Sequence, residues 1–295
     1  MRAIALLPLL CVCASTVLAV LCLMAGYKSD FMENFELITF NTSLLGEGLI
    51  EAAAQEVASG ETATTVNVPP ALQSALASTL LSNSELIQEI AEKLNIHDFY
   101  KIHMLDFCEG YYEPGPIPNA SSTNPSQNVT FCSPPQAFSF FNATQVLTDE
   151  LLPGVSLDQI QFPSQVQDAI TAMAVVQKVM FVLYCTGAGI SGLAALEAII
   201  AFLIDGRLSA VCNAILDIIA FIALGIASGC ATAFIYAVTN AVNQYGAQVN
   251  LQAYGGTKFL IMSWIATVLP LLAAFLWCID CCIGPDRRRG RKEVY

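Results

Sequence analysis

Few residues in this sequence belong to types that do chemistry, and their settings are unusual. Two carboxylates, Glu197 and Asp217, stand inside long apolar runs. An ionisable group in such a run marks a proton relay, an ion path or an interhelical bond. Glu197 lies nine residues before Gly206 and Asp217 eleven after it. At 1.5 Å per residue these are about 14 and 17 Å along antiparallel helices, which predicts similar depth. The plainer reading is a protonated carboxyl bonded to a neighbouring helix through Asn213 or a Ser/Thr, and the absence of a Gly/Pro-broken repeat pair favours it.

His97 and His103 are the only histidines. Their separation is neither i,i+4 on a helix nor a zinc spacing, so a structural role is expected of them. They are also the natural pH-responsive groups, since imidazole titrates near neutrality. No nucleophile–base pair, phosphate loop or metal spacing stands out, so neither enzymatic activity nor a cofactor is expected.

These residues must be positioned by a membrane protein. The chain has 295 residues, 55% hydrophobic and only 12% charged, where globular chains carry roughly 25% charged residues. Mean hydropathy is +0.60. Four runs reach the roughly 20 apolar residues that a bilayer crossing needs: 3–26, 179–204, 208–237 and 259–279. The first also fits a secretory signal, with Arg2 before it and the small Ala19 late in it, but its apolar run exceeds the roughly 7–15 residues of a signal core. Either reading translocates the segment between the first and second runs. The net charge of -12 argues against nucleic-acid binding, which needs clustered cations. Most of that acidity lies between Lys28 and Thr171, with 18 acids against three lysines and no arginine.

Two signals set the expected sidedness. The sequons Asn41, Asn119, Asn128 and Asn142 all fall between the first two runs, which reads as an outer, glycosylated loop. All six arginines then lie inside, at Arg2, Arg207, Arg287, Arg288, Arg289 and Arg291, joined by Lys292. Both termini are expected to be cytoplasmic. Within the loop, Cys108 and Cys132 are its only cysteines, so a disulfide is the default expectation and two buried thiols the alternative. Residues 44–96 read as interrupted helix, with a Ser82/Glu85 capping box leading Leu86, Ile90 and Leu94.

The expected fold is an all-α membrane protein, a four-transmembrane-helix bundle with a large disulfide-bonded, glycosylated outer loop. Its divisions are a first span at 1–27, an outer loop at 28–172, a second span at 173–204, an inner turn at 205–207, a third span at 208–237, a second outer loop at 238–258, a fourth span at 259–280 and a basic tail at 281–295. Gly187, Ser191 and Ala195, and Gly225 with Gly229, form small faces that let helices approach, within one bundle or between copies in a homo-oligomer. Pro270 predicts a kink. Cys278, Cys281 and Cys282 beside the basic tail suit S-palmitoylation and attraction to anionic lipid.

Several of these segments resemble one family. The string from Asp98 to Tyr112, Asp-Phe-Tyr-Lys-Ile-His-Met-Leu-Asp-Phe-Cys-Glu-Gly-Tyr-Tyr, followed by Cys132, is similar to the loop signature of fungal claudin-like tetraspan proteins. That Sur/PalI superfamily includes eisosome or cortical-patch proteins and ambient-pH response proteins. Val179–Cys185, Gly206–Ala210, Ala220–Ser228 and Tyr254–Phe259 fit as well, whereas 44–96 finds no counterpart. The resemblance implies a non-enzymatic fungal plasma-membrane protein that organises cortical domains, with eisosome scaffold proteins as partners and consequences for endocytosis, cell-wall deposition and stress responses. It also implies that Cys108 and Cys132 form the family's loop disulfide. A PalI-type pH or stress sensor is the alternative, although such members carry long hydrophilic tails where this sequence stops at Tyr295. A proton- or ion-linked channel or transporter subunit using Glu197 and Asp217 is a third reading.

Overall fold

The computed structural model describes residues 5–28, 31–44, 97–113, 126–137, 164–203 and 207–283. The helical reading of 44–96, the inner turn at 205–206, Asn119, Asn142, Arg2 and the tail at Arg287–Lys292 lie outside the described residues. The chain divides into two compact units.

The first unit comprises Met1–Ala25, Lys178–Ala233 and Thr257–Tyr295. It draws on four long helices: α1 (Leu6–Met24), α2 (Ser164–Leu203), α3 (Arg207–Tyr245) and α4 (Thr257–Ile283). Each holds a stretch long and apolar enough to cross a membrane, where a helix is favoured because it pairs its own backbone polar groups. Pro8 falls in the first turn of α1, where its missing N–H removes no intrahelical bond. Pro270 lies inside α4, which continues past it to Ile283.

Packing in this unit runs small-inside and large-outside. Ala194, Ala198, Ala220, Ala227, Ala231, Ala266 and Ala273 are buried, whereas Leu193, Leu196, Ile199, Ile218, Ile222 and Ile226 are exposed. Lipid tails are as apolar as leucine, so burying large aliphatics brings little gain there, and close backbone approach through alanine holds the helices together. α1 lies along α4.

The second unit, Gly26–Gln177 with Phe234–Gly256, overturns part of the all-α expectation. It contains a five-stranded antiparallel sheet in the order β4-β3-β2-β1-β5. The strands are β1 (Ile38–Asn41), β2 (Phe99–Ile102), β3 (Phe107–Glu113), β4 (Ser126–Cys132) and β5 (Gln252–Gly255). Central β1 and β2 are buried along their whole length, with Phe40 opposite Tyr100 and Ile38 opposite Ile102. β3 alternates, turning Cys108, Gly110 and Tyr112 inward. At the Glu109/Gly110 bulge only glycine fits, because a Cβ at Gly110 would stand 2.1 Å from the Asn128 carbonyl oxygen.

The expected second outer loop at 238–258 is corrected too. α3 runs on to Tyr245, a 3-10 turn covers Gly246–Val249, and β5 joins the sheet beside β1. Asn243 reaches across from α3 and pairs with both the N–H (2.7 Å) and the carbonyl (3.0 Å) of Ala253, so a side-chain amide occupies β5's outer edge.

Candidate functional site

In the sheet unit, Cys108 and Cys132 sit directly opposite each other on β3 and β4 and are joined as a disulfide. The expected bond is present, and it ties the outermost strand into the sheet.

β2 separates the two histidines, placing them at opposite ends of a four-residue strand. His97 packs against Tyr111, ring centroids 4.9 Å apart, and its Nε2 lies 3.9 Å from Glu109. Beside it, Asp98 accepts a hydrogen bond from the Tyr112 N–H at 2.8 Å. Burial pushes the Asp98 carboxyl above its ordinary value, opposed in part by that hydrogen bond and by His97. Burial likewise raises the Tyr112 phenol, with the charges of Tyr254 and Asp98 acting in the same direction.

His103 is fully buried. Its Nδ1 lies 3.2 Å from Asp106 Oδ1, although not aligned as a hydrogen bond, and its Nε2 lies 3.2 Å from the Glu33 carbonyl oxygen. Gln177 donates to the carbonyls of His103 and Met104 at 3.1 and 3.2 Å, fixing the β2–β3 turn. Ligand atoms of His103, Asp106 and Cys108 fall within 4.8 Å of one another. The Cys108 sulfur is bonded to Cys132, so it offers no thiolate, and the two donors left do not make a structural zinc set.

In the helical unit the polar side chains form a hydroxyl lattice. Tyr184 of α2 and Ser263 of α4 share a hydrogen bond at 2.5 Å, Ser263 and Ser228 of α3 another at 2.5 Å, and Ser228 and Thr267 a third at 2.9 Å. On α1, Ser15 donates to the Ala266 carbonyl at 2.7 Å, and Thr16 donates to Ser191 at 3.0 Å. Every helix in this unit is therefore bonded to another by a side chain.

A model of the SUR7/PalI family matches residues 4–276. The chain belongs to that family. Comparison with curated proteins and with solved structures returns no match. The family match takes in the whole sheet, its disulfide and most of the four apolar helices, so this SUR7/PalI chain is a multi-pass membrane protein.

Other residues singled out in the sequence have mixed settings. Asp217 is fully buried, whereas Glu197 is half-buried. The bond to a neighbouring helix expected of a buried carboxyl, through Asn213 or a Ser/Thr, is not made by Asp217: both its oxygens lack a protein partner, and Asn213 donates to Ser209 O at 3.0 Å. Gly187 meets Leu224, and Ser191 and Ala195 face α1, as close packing requires. Gly229 does not pack, since a Cβ there would meet nothing within 4 Å; Ala227, Ser228 and Ala231 form the buried face instead. Asn41 is buried in β1, whereas Asn128 is exposed on β4 and donates to Glu113 at 3.1 Å. Cys278 and Cys282 are exposed and Cys281 half-buried, all three reduced.

Sequence reading missed the hydroxyl lattice and the buried acid Asp280. Alternation in Phe107–Glu113 and the β-branched and aromatic residues of Ser126–Cys132 were the available signals for the sheet.

Proposed function

We propose that this tetraspan organises cortical domains of the plasma membrane in the manner of an eisosome component, without catalysis. It acts through lateral packing of the bundle and contacts of the disulfide-stapled sheet. The observation that carries this reading is the outer face of α4, where a groove of about 620 Å³ is lined by Leu260, Ile261, Trp264, Ile265, Val268 and Leu272. Trp264 is held in place as its indole N–H donates to Thr232 Oγ1 at 3.2 Å. An apolar groove along one helix suits an acyl chain in the bilayer, and the hydroxyl lattice keeps the helices rigid behind it. In this reading both termini are cytoplasmic and Asn128 carries a glycan. Cys278 and Cys282 take acyl chains, the basic tail meets inner-leaflet lipid, and cortical scaffold proteins are the partners. Endocytosis, cell-wall deposition and stress responses follow from the domains so built.

Live-cell imaging of a C-terminally tagged copy against an eisosome marker and a uniformly distributed plasma-membrane protein tests it. Stable patches coincident with the marker support the reading; a uniform or internal distribution rejects it.

A second reading, ambient-pH or stress sensing, is favoured by the setting of His103. Both ring nitrogens of this buried imidazole face oxygens, one of Asp106 and one of Glu33. Loss of alkaline-pH signalling in a His97→Ala/His103→Ala variant that still localises would support it, and unchanged signalling would reject it.

A further inference from the structure

Three polar side chains recur at i, i+4 and i+8 on α3: Ser209, Asn213 and Asp217. Asn213 and Asp217 are 0% exposed. Ser209 Oγ, Asn213 Oδ1 and both carboxylate oxygens of Asp217 have no protein hydrogen-bond partner. Trp277 of α4, also 0% exposed, packs in one cluster with Ala210 and Ala214, the α3 residues that flank this row, and its indole N–H is likewise unpartnered. Interiors that offer polar atoms no protein partner pair them through water, because bare polar groups are costly in hydrocarbon.

The spacing suits such pairing. Each i,i+4 step rises about 6 Å, close to the roughly 5.6 Å spanned by two hydrogen bonds through one water. The residues around the row are small, with Ala198, Ala201, Ala210 and Ala214 in the same cluster. Ser209 lies in the first turn of α3, so the row begins at a helix end and stops at Asp217.

We propose that Ser209, Asn213 and Asp217 hold a file of water molecules that carries protons between the first turn of α3 and the Asp217 carboxyl. Arg207 opens α3 two residues before Ser209, at the end of the file away from Asp217, and the groups nearer Asp217 are acidic or neutral. Cys11 of α1 lies within electrostatic reach of Asp217; Glu197 of α2 is half-buried and Asp280 of α4 buried. No Lys, Arg or His occurs within 6–24, 179–203, 208–245 or 259–283. A proton is therefore the charge partner that the surroundings leave for Asp217. This inference stands apart from the cortical-domain reading and holds or fails without it.

The test is infrared difference spectroscopy of the full-length protein in lipid nanodiscs, following the carbonyl stretch of a protonated carboxyl during transfer into heavy water and across pH. A band absent from Asp217→Asn should shift on exchange and titrate with bulk pH. Asn213→Leu should keep the band but slow its exchange by about tenfold, the scale of losing one buried hydrogen-bonding step. Ser209→Ala should slow it in the same direction, and circular dichroism identifies any variant whose bundle has not assembled. Absence of the band, its survival in Asp217→Asn, or exchange as fast in both row variants as in the native protein overturns the proposal. So does loss of the band on adding sodium at constant pH, which would place a metal cation there instead.

Discussion

Gly26 lies against the buried ring of His103: a Cβ built on Gly26 would stand 2.4 Å from the ring Cγ and 2.6 Å from Asp106 Oδ1. Its φ of 85° is also in the left-handed region. The His103–Asp106 contact can therefore be buried only because the chain crosses it with a residue that has no side chain. The same glycine anchors its own turn, its N–H donating to Phe31 O at 3.1 Å.

Gly26→Ala is expected to destabilise the sheet unit by about 2–4 kcal/mol, from left-handed backbone strain plus overpacking of a rigid ring. Thermal unfolding monitored by near-ultraviolet circular dichroism would show it as a lowered Tm. An unchanged Tm would mean that the His103 corner is not packed as described.

Replacing both Cys108 and Cys132 by serine opens a loop of sequence separation 24. The chain-entropy cost is roughly 3 kcal/mol, and it falls on β4, the strand at the sheet's edge. Limited proteolysis should cut the double variant faster near β4, and adding reductant should reproduce the effect in the native protein but not in the variant.

The hydroxyl lattice gives a paired prediction in the helical unit. Ser263→Ala leaves Tyr184 and Ser228 each without a bond made at 2.5 Å, and interhelical hydrogen bonds in membranes contribute about 0.6–1.7 kcal/mol each. Unfolding in mixed detergent should report a loss of about 1–3 kcal/mol on that basis. Gly229→Ala, where a Cβ meets nothing within 4 Å, should stay within about 0.5 kcal/mol of the native protein.

Asp98 sets a pH dependence whose sign is fixed by burial. A carboxyl raised above its ordinary 3.8 holds, in the folded state, a proton that the unfolded chain has already released. Stability from this group is therefore greatest below 3.8 and falls as pH rises through the folded-state value. In Asp98→Asn the amide oxygen can still accept from the Tyr112 N–H. The Tm advantage of Asp98→Asn over the native protein should grow as pH rises from below 3.8 and then level off. An advantage that is flat across this range, or shrinks, would contradict the assignment.

The four apolar runs, the disulfide and the family were legible in the residues because each depends on local chemistry. A run of about 20 apolar residues has few alternatives to a membrane helix, and an isolated pair of cysteines in one loop leaves each a single natural partner. The sheet was legible only at β3 and β4, and its assembly was not. β1 and β2 are four residues long, too short for a two-residue period to register, and β1 pairs with β5 at Asn41 and Gln252, more than 200 positions apart. Gly229 misled for a related reason: a small-residue repeat says that two helices are able to approach, not which face they use.

By itself, then, the sequence determined that this is a membrane-spanning chain with a stapled loop, because hydrophobic length and cysteine isolation act within one segment. Only the tertiary structure decided that His103 meets Asp106 beneath Gly26. It alone joined Tyr184, Ser263 and Ser228 across three helices and left both Asp217 oxygens without a protein partner. The physical reason is common to all of these. A polar side chain bonds whatever the fold brings within about 3 Å of it, and strand register and helix rotation, not sequence neighbours, choose that atom.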